Sequence, residues 1–268
     1  MKELLATLFS ALALTAAPSL DFGWGPEGHR VVVILAEQYM RSETMARARE
    51  LLGSESLEDA SLWADEYAHS QPATGPWHYI NIPLAASRID RARECPNGAC
   101  IVAKTEGFLA VLADAESSRA SKAEALKFVM HFVGDLHQPL HCADNDDRGG
   151  TARQVIFDSR PDNLHWVWDT GLLQHLSRDA GSFARELERK LTDEEQEAWK
   201  QGSVTDWALQ SHRLAQTTVY GRLGRRNPAV ISSAYERQAD PVVEVQLERA
   251  GVRLAYVLDQ NLTYVPAR

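Results

Sequence analysis

The chain has 268 residues, 44% hydrophobic and 24% charged, with a formal net charge of −9 at pH 7. Such a length and balance fit one domain with a sizeable core and exclude a disordered or repetitive chain. The acidic balance excludes broad electrostatic binding to a polyanion, which needs basic surface to displace counterions, unless bound divalent metals reverse the sign locally.

The chain opens on an export pattern. Lys2 supplies a positive end, Leu4 to Ala17 is almost unbrokenly apolar, and Pro18 to Gly23 has the character of a processing region. The run is too short for a permanent membrane anchor, and no later segment looks transmembrane. The leader is therefore expected to be removed, with the small-x-small rule favouring a cut near Ala17, to leave an exported, periplasmic or extracellular domain.

Helical spacing of Val31, Ile34, Leu35 and Gln38 behind His29 predicts a helix from Gly28 to Met40. Ser42 as a cap and Gly53 as a stop bound a second, and Leu57 to Tyr67, carrying Trp63 and Asp65, is a third. Turn-forming Pro72, Thr74, Gly75 and Pro76 lead into an aromatic stretch, Trp77 to Asn81, read as extended or irregular. Cys95 and Cys100 flank a short turn, which in an oxidising compartment most simply closes a small disulfide loop; Cys142 is left as a free, partly buried thiol.

Val102 to Ala115 is helical, and Ser121 with Glu124 makes a capping box for a helix running to His137. Asn145 to Thr151 is a polar loop, and Arg153 to Asp158 is the only strand-like run, so the fold is expected to be all-α with at most a small β-hairpin. Helices resume at Leu164 to Leu176, Gly181 to Leu191, a Thr192/Glu195 box into Trp199, Asp206 to Tyr220, and Pro241 to Gln260. No linker divides the chain.

The chemistry concentrates at His131-Phe-Val-Gly-Asp135-Leu-His-Gln-Pro-Leu-His141. A four-residue step puts His131 and Asp135 one turn apart on one helix face, where both reach a single ion. The proline ends the helix and turns His141 back toward the same cavity. His137 falls roughly 200° from Asp135 around the axis and is read as a supporting or structural group. His165 and Asp169 repeat the spacing. Both pairs are ringed by apolar residues, where isolated charges are costly unless paired or coordinated. Imidazole with carboxylate and without clustered thiolates suits zinc. With no phosphate-binding glycine loop and no serine nucleophile elbow in the chain, a metal-assisted hydrolase remains. His69, His175 and His212 carry no such pattern and are read as surface or core residues.

The chain resembles the exported, zinc-dependent type I nucleases, which prefer single strands and share a fold with three-zinc phospholipases C. The resemblance rests on Trp24-Gly-Pro-Glu-Gly-His29, Trp63-Ala-Asp65, Trp77-His78-Tyr-Ile-Asn81, His131-Phe-Val-Gly-Asp135, Gln138-Pro-Leu-His141 and Asn163-Leu-His165-Trp-Val-Trp-Asp169. It implies three zinc ions: one on Asp65, His78, His131 and Asp135; one on His141, His165 and Asp169; one on His29, a shared Asp135, and the free amine and carbonyl of Trp24. A peptide nitrogen has no lone pair to donate, so this set requires cleavage immediately before Trp24, with residues 1–23 removed and 24–268 forming the single domain. The resemblance also implies that Asp65 orients the attacking water, that Tyr79 stacks an unpaired base and that Asn81 reads its edge.

The expected activity is hydrolysis of single-stranded DNA and RNA to 5′-phosphorylated products, with 3′-nucleotidase action on mononucleotides, by a monomer that does not insert in membranes. A phospholipase C and a non-catalytic zinc-binding protein are the alternatives. The four residues between Trp24 and His29, aspartate at position 169, and Tyr79 with Asn81 favour the nuclease. Ala68 stands where the family often has a basic residue, and Thr151 where asparagine is common.

Overall fold

The computed structural model describes residues 24–176 and 179–262, so the export signal expected over residues 1–23 lies outside the described residues. Helix α1 (Pro26–Tyr39) buries Val31, Val32, Val33, Leu35 and Ala36. Next come α2 (Ser42–Leu52), α3 (Leu57–Ala60) and α4 (Trp63–Ser70). A 3₁₀ segment (Pro72–His78) and the short α5 (Arg91–Glu94) precede α6 (Ile101–Ala113) and α7 (Arg119–Asp135).

The antiparallel pair β1 (Gln154–Phe157) and β2 (Arg160–Asn163) turns through Asp158 and Ser159, both at positive φ, 49° and 63°, as a two-residue hairpin requires. Then follow α8 (Leu164–Trp166), a π-helical turn (Val167–Gly171), α9 (Leu172–Leu176), α10 (Ala180–Glu188), α11 (Asp193–Trp199) and α12 (Val204–Leu214). A second π-helical turn (Ala215–Val219), strand β3 (Ala229–Val230) and α13 (Ser233–Asn261) complete the described chain.

The core forms where α1 lies along α13 and α10, with α7 packed on α6, α13 and α2. Gly251 permits the closest approach: a Cβ there would stand 2.5 Å from Leu35 Cβ. Trp24, Trp168, Trp207, Phe128 and Phe132 are fully buried. No helix among the described residues is long and apolar enough to cross a membrane.

The mostly helical fold matches the expectation, and the differences have local causes. The hairpin gains a third strand, β3, parallel to β1; its two residues are too short to carry an alternating pattern. Ser42 is the first helical residue and not the cap, because the amide of Arg41 is taken by Asp259 of α13. Ser118, whose hydroxyl accepts from the Ser121 amide at 3.1 Å, caps α7, so the helix begins two residues before the expected Ser121/Glu124 box. The Thr192/Glu195 box is present. Helix α13 starts at Ser233, capped by Ser232, and carries Pro241 inside rather than at its start; burial of Tyr235, Ala239 and Val243 outweighs the backbone bond the proline forgoes. The helix expected over Leu57 to Tyr67 is interrupted between α3 and α4, and that interruption serves the site.

Candidate metal centre

Near its end, α7 is buried all round, so its polar side chains need partners. His131 and Asp135 face a common cavity, with Nε2 3.2 Å from Oδ2. Into it also project His78, whose Nδ1 is 3.1 Å from His131 Nε2 and 3.2 Å from Asp135 Oδ2, and Asp65, whose Oδ1 is 3.2 Å from His131 and 3.5 Å from His78. A tetrahedral ion with bonds of about 2.0–2.1 Å has ligand-to-ligand edges of about 3.3–3.4 Å. The donor atoms of Asp65, His78 and His131 lie 3.1–3.5 Å apart and those of His78, His131 and Asp135 lie 3.1–3.2 Å apart, so two trios sharing the His78–His131 edge each have the edge lengths of a coordination sphere.

The ring orientations are set from behind. His131 Nδ1 lies 2.7 Å from the Ser61 carbonyl, which the break between α3 and α4 leaves available. A ring donating from Nδ1 presents the Nε2 lone pair to the cavity.

The other carboxylate oxygen of Asp135 faces a second group. His29 Nε2 is 3.3 Å from Oδ1, and the His29 ring stacks on His131 with centroids 3.8 Å apart. Gly134 makes this possible, since a Cβ there would stand 3.0 Å from His29 Nδ1. Trp24 is fully buried, and its Cβ would be 2.7 Å from a Cβ added at Gly28. Gly25 donates its amide to the Asp169 carbonyl at 2.9 Å, pinning the chain beside the third group.

That third group is His141, His165 and Asp169. His165 Nε2 is 3.1 Å from Asp169 Oδ2, and His141 Nε2 is 3.9 Å from Oδ1. His141 Nδ1 lies 2.8 Å from the His78 carbonyl and His165 Nδ1 2.7 Å from that of Gly149, so both rings are oriented by backbone. The segments around Ile82 and Asp144 run side by side, Ile80 donating to the His141 carbonyl, which sets His78 beside His141. Gln138 donates to Asp169 and accepts from the Leu140 amide, fixing the carboxylate and the turn after α7 together.

Gly149 has φ +60°, and a Cβ there would stand 2.9 Å from the Leu140 carbonyl oxygen. Gly149→Ala is expected to destabilise the fold by about 2 kcal/mol, from the left-handed backbone and the clash. It should also loosen His165. The check is denaturant unfolding together with the rate of metal loss to a chelator; an unchanged rate would detach Gly149 from the site.

Burial first, and neighbouring imidazoles second, hold His29, His78 and His141 well below the ordinary histidine range. Burial also lowers His131, but Asp135 and Asp65 outweigh it and hold that ring well above. Burial likewise opposes protonation of His165, yet Asp169 pushes it up to about 9. Burial raises the Asp135 carboxyl to about 7 against the pull of His131. The metal-free cluster therefore retains protons, and an ion binding to neutral imidazole and carboxylate must release them.

Buried polar atoms normally find hydrogen-bond partners, yet His29 Nε2, Asp65 Oδ1, Asp135 Oδ1 and His141 Nε2 have none and converge here. The three side-chain groups His29/His131/Asp135, Asp65/His78/His131 and His141/His165/Asp169 can each take an ion. Side-chain exposure is 23% at Asp65 and 17% at His165 and no more than 1% at His29, His78, His131, Asp135, His141 and Asp169, so Asp65 and His165 are the members of the centre that meet solvent.

Every sequence-nominated ligand side chain lies in these groups, and Trp24, nominated for its terminal amine and carbonyl, buries its side chain beside Gly28 and Gly134. Tyr79, extended in backbone just after the 3₁₀ segment, is half-buried and stacks on no other ring among the described residues, and Asn81 is exposed. Trp77 and His78 lie within the 3₁₀ segment rather than in extended chain. Cys95 and Cys100 form a disulfide. Cys142 is free and, contrary to the partly buried expectation, fully buried. His137 points away, donating to the Val133 carbonyl and accepting from Arg253. His212 hydrogen-bonds the Cys142 carbonyl and His175 the Asp158 carboxylate, both away from the centre's ligand groups. Ala68 is buried in α4 and Thr151 is exposed. The carbonyls of Ser61, His78 and Gly149 and the Asp169 partner Gln138 escaped sequence reasoning. Only Gln138 left a signal, through its place before Pro139.

A family model described as S1/P1 nuclease matches residues 24–263. Nuclease S1 of Aspergillus oryzae is 29% identical, over 97% of this chain and 98% of the relative. Nuclease P1 of Penicillium citrinum is 31% identical, over 87% of this chain and 95% of the relative. Endonuclease 2 of Arabidopsis thaliana is also 31% identical, over 92% and 93%. With one family model matched along essentially all of the described residues, the chain belongs to the S1/P1 nuclease family.

Proposed function

We propose that this nuclease uses three zinc ions to hydrolyse single-stranded DNA and RNA to 5′-phosphorylated products, and that it removes 3′-phosphates from mononucleotides. The observation that carries the reading is the convergence of Asp65, His78, His131 and Asp135 on one buried cavity, with Asp135 presenting one oxygen to His78 and His131 and the other to His29. The ligand sets are Asp65, His78, His131 and Asp135; His141, His165 and Asp169; and His29 and Asp135 with the terminal amine and carbonyl of Trp24. Imidazole and carboxylate donors without thiolate favour zinc over softer ions. Bound zinc supplies acidified water and charge neutralisation on the phosphoryl group.

The chain's own residues do the rest. Asp65 holds a proton of the attacking water with one oxygen while the other stays among the ligands, a role supported by its being the most exposed carboxylate of the cluster. Asp65 and His165 are partly exposed while the other ligand side chains are buried, so the centre is recessed, which favours an unpaired nucleotide over a stacked duplex. Tyr79 offers a ring with no aromatic partner, and Asn81 an exposed amide two residues on. Tyr79→Ala is expected to raise KM for single-stranded DNA about tenfold with kcat nearly unchanged, since base stacking contributes about 1–3 kcal/mol. An unaltered KM would remove the stacking role.

The protein acts as an exported monomer in an oxidising compartment, a reading supported by the closed Cys95–Cys100 disulfide. Acid-soluble nucleotides should be released from single-stranded DNA, not in the presence of chelator, and again after zinc is restored. Cleavage of phosphatidylcholine without nucleotide release would make it a phospholipase. Zinc retention without either reaction would make it a binding protein.

A further inference from the structure

Charge is unevenly spread along this acidic chain. Between Asp206 and Glu236 there is no acidic residue, yet the interval contains Arg213, Arg222, Arg225 and Arg226. The last three are exposed in the loop between the second π-helical turn and β3, and none forms an ion pair with a described carboxylate. Other exposed arginines also lack an ion pair, but Arg49, Arg88, Arg160, Arg185 and Arg237 each stand within two residues of an acidic one (Glu50, Asp90, Asp158, Glu186 and Glu236), whereas Arg222, Arg225 and Arg226 have no acidic residue anywhere in their interval. Leaving arginines unpaired on a protein of net charge −9 concentrates positive potential where they stand.

They stand beside the mouth of the metal centre. Arg153 donates to the carbonyls of Gly224 at 2.9 Å and Arg226 at 2.7 Å, while its own carbonyl accepts from Leu164, the residue before His165. Tyr220, just ahead of the loop, donates to Asp147, whose loop supplies the Gly149 carbonyl that orients His165. Ile231, just after it, donates to Ile156 of β1. The arginine loop is therefore fastened at three points to the wall that carries His165, one of the two cluster members open to solvent. Exposed Arg148, next to Gly149, continues the strip.

We propose that Arg222, Arg225 and Arg226, with Arg148, form a docking strip for the phosphate backbone of a single strand, engaging phosphates beyond the one being cleaved. It rests on the nuclease reading and extends it: the strip holds long substrates by charge, without reading bases, and is irrelevant to substrates of one or two nucleotides. Guanidinium groups suit this task because they fork onto phosphate oxygens and remain charged.

The test compares the parent with Arg225→Ser/Arg226→Ser and with Arg225→Lys/Arg226→Lys, on thymidylyl-thymidine and on oligothymidylate. For an oligothymidylate about twenty nucleotides long, kcat/KM of the serine variant should fall about tenfold at about 50 mM salt, and the slope of log(kcat/KM) against log[salt] should be shallower by about 1.4, two phosphates' worth on a single strand. Dinucleotide hydrolysis should be unchanged, and the lysine variant should keep the parental slope. Equal losses on both substrates, or an unchanged slope, would overturn the strip while leaving the nuclease reading intact. If the parent cut neither substrate, that reading would fail instead. Anisotropy of a labelled phosphorothioate oligothymidylate on the same zinc-loaded proteins would then decide the strip alone: weaker, less salt-sensitive binding in the serine variant supports it, equal binding refutes it.

Discussion

Replacing Asp135 with asparagine is expected to lower kcat/KM for single-stranded DNA by about a thousandfold or more, about 4 kcal/mol of transition-state stabilisation. The size follows from position. One oxygen of Asp135 faces His78 and His131 at 3.2 Å and the other faces His29 at 3.3 Å, so one carboxylate serves two donor groups. An amide keeps the shape but replaces one oxygen with a nitrogen that has no lone pair for a metal. Metal content should fall by more than one ion per chain, and chelation should lower the unfolding midpoint of the variant much less than that of the parent, because there is less bound ligand to lose. A variant with parental metal content and a parental response to chelation would show that Asp135 is not shared.

A single additional residue left ahead of Trp24 is expected to remove one zinc per chain and to lower kcat by about a hundredfold or more, if that ion contributes the several kcal/mol usual for a metal at a phosphoryl centre. The amine of Trp24 would then be a peptide nitrogen, its lone pair delocalised into the carbonyl. Trp24 is fully buried against α1 near Gly28, and Gly25 is tied to the Asp169 carbonyl, so the chain has no slack to bring another amine to the same place. Intact mass and elemental analysis of proteins starting at Trp24 and one residue earlier provide the comparison. Equal zinc and equal activity in the two would exclude the amine as a ligand.

Much of the centre was legible because helix geometry converts spacing into proximity. His131 with Asp135 and His165 with Asp169 are each four residues apart and lie 3.1–3.2 Å from one another. The second pair keeps that contact across the π-helical turn, which no spacing rule announces. His29, Asp65 and His78 carry no such periodic relation, and only resemblance to a family joined them to the rest. What orients the rings could not be read at all: the Ser61, His78 and Gly149 acceptors are backbone carbonyls, which every residue has. The break between α3 and α4 that exposes one of them has no proline or glycine to mark it. Pro241, taken as a helix start, sits inside α13 because tertiary burial of the preceding turns exceeds the local preference. The strip of unpaired arginines was hidden by a net charge that averages over the whole chain.

The most direct test of the central claim is elemental analysis of the protein beginning at Trp24, purified without chelator and assayed on single-stranded DNA in parallel. Three zinc ions per chain, with activity that falls and returns as they are removed and restored, is the predicted result. Full activity in protein that holds no stoichiometric metal would contradict it.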